Sequence, residues 1–177
     1  MRKSHIWLIV AAVLLVSVSA GVTVALLVSS TNTVVNAFTI GGVTISVDET
    51  TGDTYIMTPG VDLSKDPAVT VAAQSENCWL FIELDKENDF DAFCTYEMAD
   101  GWMPYPGESG VFYREVQKSY SNQTFPVLKN DCISVKDSVT EEQLDAVRHN
   151  PKLNVIAYAV QSDGVPSIDE AWRAVKP

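Results

Sequence analysis

Residues Cys78 to Asp85 read CWLFIELD, the most apolar run in the chain beyond residue 28. With the two-residue period of a strand, Cys78, Leu80, Ile82 and Leu84 share one face and Trp79 and Phe81 the other. A strand that is apolar on both faces is central in its sheet and covered, or covers itself with a partner. Outward from it, the chain reads as short strands separated by turns. Pro67 to Ala73 (PAVTVAA) alternates Val69 and Val71 with Thr70 and Ala72. Gly110 to Val116 (GVFYREV) places Val111, Tyr113 and Val116 near a core, and Leu153 to Gln161 (LNVIAYAVQ) is a long late strand. Gln123–Leu128 and Cys132–Lys136 read as two strands of a tight hairpin about Lys129-Asn130-Asp131. Turn signals lie at Thr51-Gly52-Asp53, Pro59-Gly60, Pro106-Gly107 and Gly164-Val165-Pro166. Phe90 to Met98 predicts a short helix running into a strand. Thr140 to Gln143 is a capping box, with Leu144 and Val147 behind it and Asn150-Pro151 as its stop. Ser167 to Glu170 is a second box, ahead of an apolar face of Ile168, Ala171, Trp172 and Val175. This succession predicts a mainly β chain folded as an antiparallel sandwich with two or three short helices, not a series of βαβ units.

The chain has 177 residues and a formal charge of −11. Residues 1–27 hold Arg2 and Lys3 and no acid, so the remainder, 28–177, carries −13. That remainder is long enough to bury a core as one domain. Its acidity argues against nucleic acid and anionic membrane surfaces as partners. Three cysteines, Cys78, Cys94 and Cys132, allow at most one bridge, and no CxxC pair offers zinc ligands of the usual spacing. They read as small buried hydrophobes. Beyond His5 the one histidine is His149, placed as a solvated cap at a helix end, which leaves no Ser/His/Asp or Cys/His set. Asp85, Glu87, Asp89 and Asp91 imitate the start of a calcium loop. Its sixth position is Phe90 instead of Gly and its twelfth is Tyr96 instead of Glu, so the run reads as solvated. The residues therefore predict no catalytic, cofactor-binding or metal site, no cofactor, and a protein that is not an enzyme.

The N-terminus decides location. Ile6 to Val28 carries no charge and follows Arg2 and Lys3. A signal peptide has an apolar core of about 7–15 residues; a spanning helix needs about 20. Two readings stay open, a cleaved signal peptide and a retained anchor, and both place the body outside the cytoplasm, secreted or at the cell surface. Cleavage is expected between Ala20 and Val28, with a signal peptidase as partner during export and membrane contact through this segment only. Ser29 to Asn36 (SSTNTVVN) is an uncharged tether. Ala37 to Glu49 (AFTIGGVTISVDE) then alternates as a first strand, with Gly41-Gly42 as a bulge or a close backbone approach. Val34, Val35, Phe38, Ile40, Val43, Ile45 and Val47 are the expected assembly residues. An uncharged strand of this kind can add to an open sheet edge of a neighbouring copy, and such a head-to-tail contact propagates into a fibre. The simpler alternative is the first strand of the chain's own sandwich behind a loose tether.

The long apolar leader, the tether and NAFTIGGVTISVDE together resemble the TasA/camelysin family, exported proteins of Gram-positive bacteria processed by a SipW-type signal peptidase. The matching features are Phe38-Thr39-Ile40-Gly41 leading into the alternating strand, Pro59-Gly60 before the extended Val69–Ala73, and the apolar Trp79–Leu84. The resemblance implies a jelly-roll-like sandwich and, after TasA, a subunit of biofilm matrix fibres. Camelysin relatives imply a surface metalloendopeptidase instead, but this chain does not carry the histidines for it. A monomeric surface adhesin or binding module is the third expectation.

Overall fold

The computed structural model describes residues 36–51, 55–147 and 151–176. The run at 78–85 forms β5 (Cys78–Glu87), the middle strand of a five-stranded sheet. It pairs antiparallel along its whole length with β11 (Lys152–Gln161), from Lys152↔Glu87 to Gln161↔Cys78. Its other side pairs with β8 (Val111–Val116), which β7 (Met103–Pro104) edges. The opposite edge is β1 (Asn36–Ile40), which runs parallel to β11, from Asn36↔Ile156 to Ile40↔Val160. Two antiparallel three-stranded sheets accompany it. One is β3 (Asp62–Ser64), β10 (Cys132–Val135) and β6 (Cys94–Thr95); the other is β2 (Ile45–Asp48), β4 (Ala68–Val71) and β9 (Gln123–Pro126).

The alternation in β5 sorts the core as its period predicts. Cys78, Leu80, Ile82 and Leu84 join Val155, Ala157 and Ala159 of β11 in one buried cluster with Val47, Leu63, Val69, Val71, Ile133 and Val135 of the small sheets. Phe81 faces the other way, into a second cluster with Tyr105, Val111, Tyr158 and Val160. That face is covered by α3 (Ile168–Val175), through Ala171, Trp172 and Val175. The helix starts where Ser167 accepts from the Glu170 N–H at 3.2 Å. The two other helices are α1 (Phe90–Phe93), leading into β6, and α2 (Glu141–Asp145). In α2 both arms of the capping box form, Gln143 N to Thr140 Oγ1 at 3.2 Å and Thr140 N to Gln143 Oε1 at 2.9 Å.

Three expectations change. The stretch 37–49 is not one strand: it divides at Gly41, whose φ of +88° ends the extended run, and its halves enter different sheets. Residues 123–136 are not a hairpin, because β9 and β10 also belong to different sheets. Val127 and Leu128, both buried, leave the β9 ladder for the core, and Asn130 and Asp131 reverse the chain in left-handed conformations. Nor are the sheets purely antiparallel, since β1 lies parallel to β11.

Candidate assembly interface

β1 is built from Asn36 to Ile40, small and β-branched residues around one aromatic, and suits an edge position. Its inner edge is bonded to β11, and among the described residues no strand pairs with its outer edge. An edge strand presents backbone N–H and C=O groups outward. Ala37 and Thr39 are exposed, and Ile40 is 46% exposed. β1 also packs against α3.

The glycine pair forms a sharp boundary. A Cβ on Gly41 would lie 2.9 Å from both Cβ and Oε1 of Gln161, the last residue of β11. Gly42 N donates to Gln161 Oε1 at 3.2 Å, and its carbonyl accepts from Glu76 N at 3.1 Å. So the pair is a close backbone approach, as its sequence suggests. Beyond it Thr44 N donates to Ser75 Oγ at 3.1 Å, and the chain enters the core.

The expected assembly residues divide accordingly. Val34 and Val35 lie outside the described residues. Phe38 and Ile40 lie on β1. Val43 and Val47 are buried, and Ile45 packs against the same core. The three pack into this chain's own core, although β2 is, like β1, the edge strand of its sheet among the described residues.

Two polar clusters were not legible in the sequence. One frames α3. Lys176 Nζ donates to Glu83 Oε1 at 2.7 Å and Glu108 Oε1 at 2.8 Å. Burial opposes its charge, but these two carboxylates raise its pKa above the ordinary lysine value. Tyr158 OH donates to Glu83 at 2.8 Å; burial, then that bond, pushes its pKa up to about 12. Trp172 Nε1 donates to Glu108 at 3.0 Å.

The second cluster joins the ends of β2 and β3. Lys65 Nζ lies 3.0 Å from both oxygens of Glu49, and the two side chains are 4% and 6% exposed. Beside them Asp66 accepts from Thr50 N at 2.9 Å, Thr51 N at 2.8 Å, Thr51 Oγ1 at 2.9 Å, and Thr50 Oγ1. Burial pushes the Asp66 carboxyl up, but these four donors outweigh it and hold it well below the usual range. Lys65-Asp66-Pro67 signals only an extended entry in the sequence, since local pattern does not show which lysine is enclosed.

The remaining chemical expectations are placed as follows. All three cysteines are free; Cys78 and Cys94 are buried, and burial pushes each thiol to about 11. Asn154 Nδ2 donates to Glu87 at 2.9 Å, and Asp91 pairs with Lys86 at 2.9 Å, so the acidic run is spread over separate contacts. Among the described residues no group of three or more His, Cys, Asp or Glu could hold a metal ion. A polar hollow of about 320 Å³ lies beside β6 and β10; its Glu97–Lys129 and Asp62–Ser134 pairs satisfy each other. His149 and the leader lie outside the described residues, and among those described no helix is long and apolar enough to cross a membrane. No family model, curated protein or solved structure matches this chain.

Proposed function

We propose that this chain is an exported structural protein of the cell surface or extracellular matrix whose copies join into fibres through the N-terminal segment. The observation that carries the reading is β1. It is an edge strand parallel to β11, set off from the core by Gly41-Gly42 and continuous upstream with an uncharged tether. A strand held at one edge and bounded by a glycine junction can be exchanged between copies without unpacking Val43, Ile45 or Val47. The β11 edge left behind accepts the same strand from a neighbour, by main-chain hydrogen bonds. The leader, read as a signal peptide, supplies the route out of the cell. The jelly-roll-like sandwich belongs to this proposal; two small sheets sharing a core with a larger one support it.

Electron microscopy and gel filtration of leader-free protein, residues 28–177, test the reading against a form that also lacks 28–40, and with it β1. Filaments that grow with concentration are expected from the first, and a folded monomer from the second. Identical filaments from both, or a persistent monomer from the first, defeat it.

A further inference from the structure

We propose that Lys65 and Glu49 condense to an intramolecular amide that staples the two small sheets. Glu49 directly follows β2 and Lys65 directly follows β3, so the bond joins one small sheet to the other. Nζ is 3.0 Å from Oε1 and from Oε2 of Glu49, inside an almost fully enclosed site. The carboxyl carbon lies between those oxygens, which brings it within the ~3–3.5 Å near-attack range. Two hydroxyls meet the same oxygen: Thr51 Oγ1 is 3.3 Å and Tyr55 OH 3.4 Å from Glu49 Oε1. Asp66 fixes Thr51 through its N–H and hydroxyl.

Two physical terms favour condensation here. An enclosed ion pair carries the desolvation penalty of both charges, and the amide carries neither charge. Reactants held in contact have effective molarities up to ~10⁵–10⁸ M, which moves the balance between amide and free partners toward the amide. The step is self-contained. One proton passes from Nζ to the carboxylate along their contact, leaving amine and acid. The nitrogen lone pair attacks the carboxyl carbon and forms the C–N bond. A second proton leaves nitrogen directly for the departing oxygen, with which Nζ is already in contact at 3.0 Å. The C–O bond breaks and water departs. Ammonium and carboxylate become one amide and one water, with no oxidant, reductant or co-reactant.

Tryptic mapping of the purified full chain by mass spectrometry tests this. No Lys or Arg stands between Lys3 and Lys65, and the next after Lys65 is Lys86. An amidated Lys65 resists trypsin, so one peptide ending at Lys86 is expected, lighter by one water, with fragment ions placing the loss on the Glu49–Lys65 pair. Glu49→Gln keeps the shape of the side chain and expels ammonia instead. Its peptide is expected at the same mass as that of the cross-linked wild type. A full-mass peptide ending at Lys65 from folded wild-type protein, or a water loss mapped elsewhere, overturns the proposal.

Discussion

Gly41 is where one missing side chain shapes the interface. Its φ of +88° and its contact with Gln161 both exclude a Cβ. The left-handed conformation alone costs a non-glycine residue about 1–2 kcal/mol. Gly41→Ala is therefore expected to lose that much plus a clash term. Gly164→Ala, at φ +83° with nothing within 4 Å of the new Cβ, should lose the conformational part alone. Urea denaturation of both variants measures the difference; equal losses would show that Gln161 yields freely. Asp66 is the second such position. Its folded pKa lies below its unfolded value of about 3.9. Its contribution is thus complete above that value and is lost as pH falls toward the folded pKa. The stability gap between wild type and Asp66→Asn should be constant from neutral pH to about 5 and shrink below about pH 4. Denaturation midpoints across pH 3–7 follow it, and a gap that widens in acid would contradict the assignment.

The last helix, α3, shows how one element closes the second core. Trp172 is 6% exposed and packs 5.1 Å from Phe81 and 5.3 Å from Tyr158, centroid to centroid. Its Nε1 is satisfied by Glu108, which the Lys176 ammonium also holds. Trp172→Ala removes the aromatic body and leaves that carboxylate one donor short. A loss of about 3–5 kcal/mol is expected, as for other buried large aromatics. Calorimetry or denaturant titration measures it, and a change below about 1 kcal/mol would mean that the helix only rests on the sheet. Because α3 also packs against β1, such a variant should loosen the candidate interface as well.

At the level of the complete chain, charge opposes the proposed assembly. Leader-free copies, each carrying −13, repel one another. Screening shortens from about 30 Å at 0.01 M salt to about 8 Å at 0.15 M. Filament growth by leader-free protein is expected to quicken over that range and on acidification from pH 7 toward 5, where carboxylates begin to neutralise. Light scattering records the rate; growth that slows with added salt would point to attraction between opposite charges instead.

Neighbouring residues alone dictate the alternating faces of β5, the extended runs of β4, β8 and β11, and the caps of α2 and α3. Each follows from a local period or a side chain bonding the backbone three residues away, and needs no partner from afar. Gly41-Gly42 announces a break in the strand, but the Gln161 side chain it meets comes from the far end of the chain. Tertiary structure decided which strands are neighbours. It divided residues 37–49 between two sheets, separated β9 from β10, laid β1 parallel to β11, and enclosed Lys65 with Glu49. Those outcomes depend on burying apolar faces that lie far apart in the chain, and a local pattern records that a face exists without recording what covers it.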